Sequence, residues 1–76
     1  MHRVDCEVDA RGLNCPLPIL RAKAAMNDLA SGDVVRILAT DPASVRDFQA
    51  YARLTGSELV DHGEVDGAFF FLLKVR

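Results

Sequence analysis

Cysteine and histidine are scarce in this sequence: two of each, Cys6 and Cys15, His2 and His62. Two cysteines are too few for a disulfide-stapled scaffold, and their nine-residue separation is neither a CxxC redox pair nor metal-ligand spacing. Adding both histidines does not suggest a four-ligand zinc site, and neither histidine has a neighbour that points to catalysis. A Cys6–Cys15 disulfide is not expected in a reducing compartment. Positive charge is also short. Nine Lys and Arg stand against eleven Asp and Glu, a net charge of −2, and they form no run. Without aromatic–basic interleaving, that balance fits badly with direct grip on nucleic acid. No segment approaches the roughly 20 apolar residues of a membrane span. The opening Met1-His2-Arg3-Val4-Asp5 lacks the apolar stretch of a signal peptide. The expectation is a cytoplasmic protein with no metal and no membrane contact.

What is present is ordinary globular composition, 50% hydrophobic and 26% charged, in 76 residues. That length predicts one domain over residues 1–76, with no room for a deep substrate cavity; a monomer is the default expectation, which the sequence does not settle. Any chemistry then belongs to one exposed residue, with a partner supplying the rest of the site.

Gly and Pro punctuate the chain. Val4, Cys6 and Val8 alternate with Asp5, Glu7 and Asp9, a half-buried strand that turns Cys6 inward as a structural thiol. Gly12 marks a turn, and Pro16 suits the first position of a helix. Ile19, Ala22, Met26 and Leu29 form the buried stripe of that helix, which Ser31-Gly32 stops. Val34 to Ala39 reads as a central strand. Asp41-Pro42 repeats the helix-start signal, with Val45, Phe48, Ala52 and Thr55 as the inner stripe and Gly56 as the stop. Residues 58–61 read as a third strand, Asp66-Gly67 as a tight turn, and residues 69–75 as a strongly apolar, central last strand. The order βαβαββ predicts an α+β, two-layer α/β sandwich: a four-stranded mixed sheet with two helices on one face. If only one face is covered, Phe70 and Leu72 offer a second contact surface.

The informative segment is Asp9-Ala10-Arg11-Gly12-Leu13-Asn14-Cys15-Pro16-Leu17-Pro18. Cys15 falls where a helix N-cap would sit. Backbone N–H groups without intrahelical partners and the positive dipole end gather there, and both favour a thiolate. Pro16 and Pro18 stiffen the turn and leave the amides of Leu17 and Ile19 as donors to sulfur. Arg11 adds positive charge if it folds back. A helix terminus contributes roughly 0.3–1 kcal/mol, and up to about 2, so the dipole alone brings Cys15 toward neutrality and little further. The expectation is a competent nucleophile with no built-in base to drive turnover.

At these residues the sequence resembles the TusA/SirA-like family of sulfur-carrier proteins. The resemblance rests on Asp9, Gly12 and Leu13 leading into Cys15-Pro16-Leu17-Pro18, and on Asp41-Pro42-Ala43-Ser44-Val45-Arg46-Asp47 at the second helix. It runs over nearly the whole chain. It implies that Cys15 takes a sulfur as persulfide from a cysteine desulfurase or rhodanese-type donor and passes it to an acceptor protein. It implies no cofactor beyond the sulfur carried covalently on Cys15. The destination stays open among tRNA 2-thiolation, sulfur oxidation and cofactor assembly. Leu17 stands where the tRNA-thiolation branch carries an acidic residue, and Ala52 stands in the stretch that holds a second cysteine in some members.

Leu17, Leu20 and Ala24 project away from the buried stripe and border Cys15, which makes Leu17 and Leu20 candidates for partner docking. Asp41, Arg46 and Asp47 open the second helix, and either form a solvated face or lie beside the sulfur and its partner. Two readings compete with the carrier: an interaction module in which Cys15 transfers nothing, and a thiol-redox protein. Cys6, turned inward, is poorly placed as a resolving cysteine.

Overall fold

In the computed structural model, which describes residues 3–76, the alternating first segment forms β1 (Cys6–Ala10). Helix α1 (Leu17–Met26) follows, then β2 (Val34–Ala39), α2 (Ala43–Thr55), β3 (Glu58–Val65) and β4 (Ala68–Lys74). The four strands form one sheet in the order β1-β2-β4-β3. Strand β1 runs parallel to β2; β4 runs antiparallel to both β2 and β3. The expected βαβαββ sandwich is therefore present, with the two most apolar strands inside and both helices against one sheet face.

Register explains the core. Ile37 lies opposite Val8 on one side and Phe71 on the other, so the same face of β1, β2 and β4 turns toward the helices. Val35, Ile37, Ala39, Phe71 and Leu73 are buried there beneath Ala22 and Met26 of α1 and Phe48 and Ala52 of α2. Phe48 stacks on Phe71 with ring centroids 4.6 Å apart. Fully burying one such side chain contributes about 1.5–3 kcal/mol, a large share of what a chain this short can accumulate.

Several expectations shift. Helix α1 begins at Leu17 because Pro16, at φ −100° and ψ 19°, lies outside helical geometry. Pro18 joins the buried stripe with Ala22 and Met26 instead of only stiffening the turn. Helix α2 buries Ser44, Phe48 and Ala52, whereas Thr55 is exposed and donates its hydroxyl to the Tyr51 carbonyl at 2.8 Å. Cys6 is half-buried and not sealed, because β1 is an edge strand and Val4 lies outside it, exposed. His2 lies outside the described residues.

Strand β3 reaches Val65, well past residue 61. Asp66 and Gly67 both adopt positive φ, 54° and 79°, so a two-residue turn lets Val65 pair directly with Ala68. A bulge between Leu59 and Asp61 breaks the alternation that would have revealed the strand. The uncovered sheet face carries Arg36, Leu38, Phe70 and Leu72, and Leu72 is buried even there. The Phe70 ring lies over Gly63, where a Cβ would come within 2.9 Å of it.

Candidate functional site

Cys15 is exposed and sits in the turn between β1 and α1. The turn is built from both sides. Gly12 adopts φ 82°, a conformation that suits glycine, and its N–H donates to Thr40 Oγ1 at 2.8 Å. Leu13 packs partly buried against the core. The Leu17 N–H donates to the Asn14 carbonyl at 2.8 Å, closing a tight turn whose Cys15–Pro16 bond is cis. The chain beyond β2 supplies the rest. Asp41 Oδ2 accepts the Cys15 N–H at 2.7 Å while Oδ1 accepts the Ala43 N–H at 3.0 Å. One carboxylate thus ties the cysteine turn to the first turn of α2. Accepting those two N–H bonds holds the Asp41 carboxyl below its ordinary 3.8.

The sulfur itself faces α2. The Cys15 thiol donates to Asp47 Oδ2 at 2.7 Å. This changes the electrostatics expected from the helix start. That hydrogen bond, then desolvation, then the negative charges of Asp47 and Asp41 push the thiol above its ordinary 9.0, and only Arg46 acts the other way. The expected stabilisation of a thiolate by the helix N-terminus is reversed. Cys15 stands one residue ahead of the N-cap, the Leu17 amide is already engaged by Asn14, and a carboxylate occupies the position opposite the sulfur. A negative group at hydrogen-bonding distance outweighs a terminal dipole worth about 0.3–1 kcal/mol.

Cys15 also lies at an open apolar cleft of about 230 Å³, lined by Cys15, Pro16, Ile19, Asp47, Ala50, Tyr51 and Leu54. Leu54 is 86% exposed. Sequence reasoning placed Ile19 in the buried stripe and passed over Leu54. The missed signal is periodic: Asp47, Ala50, Tyr51 and Leu54 fall at i, i+3, i+4 and i+7, one face of α2. Leu17 and Leu20 are exposed as expected, at 46% and 54%, but they stand outside the wall of the cleft.

Two expected supporting residues go elsewhere. Arg11 does not fold back toward the sulfur. Its guanidinium grips Asp9 through two bonds of 2.9 Å, which holds the Asp9 carboxyl down to about 2. Arg11 lines a cleft of the uncovered sheet face with Arg36, Leu38 and Phe70. Asp9 and Arg11 therefore form a surface pair away from Cys15, whereas Gly12, Leu13, Pro16, Pro18, Asp41 and Asp47 shape the turn and its surroundings. Among the described residues, no cluster of three or more His, Cys, Asp or Glu is placed to hold a metal ion.

Known proteins share this architecture. The family model described as sulfurtransferase TusA matches residues 6–75. The sulfur carrier protein TusA of Allochromatium vinosum is 57% identical over 97% of each chain. That of Pseudomonas aeruginosa is 37% identical over 99% of this chain and 95% of its own. The crystal structure of a SirA-like protein from Desulfitobacterium hafniense superposes with a TM-score of 0.82 at 31% identity, covering 91% of this chain and 95% of that one.

Proposed function

The chain belongs to the TusA sulfurtransferase family of sulfur carriers, and from that premise we propose that Cys15 is the residue that holds the sulfur, as a persulfide. The observation that carries this reading is the exposed Cys15 thiol at an apolar cleft on a small domain. Its partner is then a protein that brings its own sulfur-bearing cysteine. A cysteine desulfurase or rhodanese-type enzyme presents a persulfide, and Sγ of Cys15 attacks its outer sulfur. The donor's S–S bond breaks, and the donor leaves as a thiolate that takes up the proton Cys15 gives up. An acceptor cysteine later repeats the attack on the outer sulfur held by Cys15. Sulfur moves as a neutral atom and nothing is oxidised overall.

The cleft supports the docking half of this reading. Ile19, Ala50, Tyr51 and Leu54 offer apolar surface next to the reacting atom, and Asp41 and Arg46 are near enough for their charges to act on the thiol. Leu17 and Leu20 extend the apolar area along α1. The final product, whether thiolated tRNA, an oxidised sulfur species or a cofactor, depends on the acceptor.

A second reading, an interaction module with an idle cysteine, draws on the Cys15 thiol being held protonated by its carboxylate neighbour. Intact-mass measurement separates the two. After incubation with a cysteine desulfurase, pyridoxal phosphate and cysteine, the carrier gains one sulfur, about 32 Da, as a persulfide. The gain disappears with dithiothreitol and in Cys15→Ser. A chain that gains no sulfur from any donor is an interaction module.

A further inference from the structure

The thiol of Cys15 and the carboxylate of Asp47 come from segments 32 residues apart, yet their atoms meet at 2.7 Å. This bond has a condition attached: Sγ can donate only while it carries a proton. Resting on the relay reading, we infer that Asp47 is a positioning residue of the transfer, which favours the empty carrier over the loaded one and so drives sulfur release.

The reasoning compares the two states. In the empty carrier, Cys15 is a thiol and Asp47 has its donor. In the loaded carrier, Sγ is bonded to the outer sulfur and has no proton to give. The outer sulfur of a persulfide ionises more readily than a thiol, and its charge would sit beside carboxylates. The charged groups facing this point are Asp47 and Arg46 of α2 and Asp41 just before it, while Pro16, Ile19 and Tyr51 line the cleft without charge. Two of the three charges are negative, and the nearest is Asp47. Loading therefore exchanges a charge-assisted hydrogen bond for a repulsion.

Written out with the persulfide ionised, donor–S–S⁻ and Cys15–SH give donor–SH and Cys15–S–S⁻. One S–S bond breaks, one forms, and the proton passes from one thiol to the other. Unloading is the same exchange with the acceptor thiol, and it returns a proton to Sγ and a donor to Asp47. The carboxylate is neither consumed nor bonded to sulfur; it weights the equilibrium between the two sides.

Asp47→Asn removes the charge at nearly the same size and tests this in the full-length chain. The first readout is the pH dependence of iodoacetamide alkylation at Cys15, followed on its own peptide so that Cys6 does not interfere. The midpoint is expected to move down by about one pH unit or more in Asp47→Asn. Arg46→Gln removes the opposing charge and moves the midpoint up. A general loosening of the fold would move both variants the same way, and that result overturns the assignment, as does an Asp47→Asn profile that superposes on the wild type. The second readout is the ratio of loaded to empty carrier after equilibration with glutathione persulfide, read by intact mass. It is expected to rise by about tenfold in Asp47→Asn, the equilibrium counterpart of one pH unit. An unchanged ratio overturns the bias toward release. If neither protein takes up sulfur from glutathione persulfide or from a desulfurase, the relay reading is what fails, since the alkylation profiles read the thiol–carboxylate link on their own.

Discussion

Oδ2 of Asp41 accepts the backbone N–H of Cys15 at 2.7 Å while Oδ1 accepts that of Ala43, so one side chain fastens the sulfur-bearing turn to the start of α2. Asp41→Ala removes both acceptors. Hydrogen exchange at the Cys15 amide is expected to quicken by about tenfold or more, with the exchange of β2 and β4 amides unchanged. Asp41→Asn keeps one oxygen acceptor and should fall between the two. Identical exchange in Asp41→Ala and wild type would show that the turn holds itself.

The same carboxylate gives acid sensitivity with a defined sign. Its folded-state pKa is lowered from 3.8 by the two N–H donors. In the folded chain it binds fewer protons than in the unfolded chain over the acid range just below that value. Its contribution to stability is thus complete above about pH 5 and fades as pH falls past 3.8. Asp9, held at about 2 by Arg11, adds a weaker effect of the same sign because that pair is exposed to water. Urea midpoints measured from pH 6 down to about pH 2.5 should fall for the wild type and fall less for Asp41→Asn. Parallel curves would remove Asp41 from the account.

Leu54 is the exposed apolar residue beside the sulfur. Leu54→Asp is expected to slow sulfur transfer from a cysteine desulfurase by about tenfold, as loss of a central docking contact does. Its urea midpoint should stay near wild type, since the side chain is already in water. Leu20→Asp should cost less, because Leu20 lies outside the cleft wall. Transfer at the wild-type rate in Leu54→Asp would move the docking surface elsewhere.

Phe48 is fully buried and stacked on Phe71. Truncating such a side chain to alanine costs about 3–5 kcal/mol. Small domains sit at the low end of the usual 5–15 kcal/mol range, so Phe48→Ala should be partly unfolded at 25 °C, with a clear loss of far-ultraviolet circular dichroism. Phe48→Leu should remain folded. A loss below about 1 kcal/mol in Phe48→Ala would contradict the placement of the core.

Much of this molecule is legible in its sequence, for identifiable reasons. Strands β2 and β4 announce themselves as apolar runs, broken in β2 only by Arg36, because both lie inside the sheet. Strand β3 does not, because it is an edge strand, mostly polar, and interrupted at Val60 by a bulge. The turn at Cys15 is visible through Gly12, Pro16 and Pro18. The sulfur's electrostatic setting is not, because a local reading sees a helix start, and the deciding group, Asp47, arrives through the tertiary fold. Arg11 shows the same limit in reverse: close in sequence to Cys15, it is held by Asp9 at 2.9 Å on the uncovered face of the sheet.

The two margins of the sheet are β1 and β3. The first points Glu7 and Asp9 outward, and the second carries the bulge together with Asp61, His62 and Glu64. Charge on one border and a break in periodicity on the other make poor templates for an incoming strand. Copies of this chain at high concentration are therefore discouraged from zipping together into fibrils.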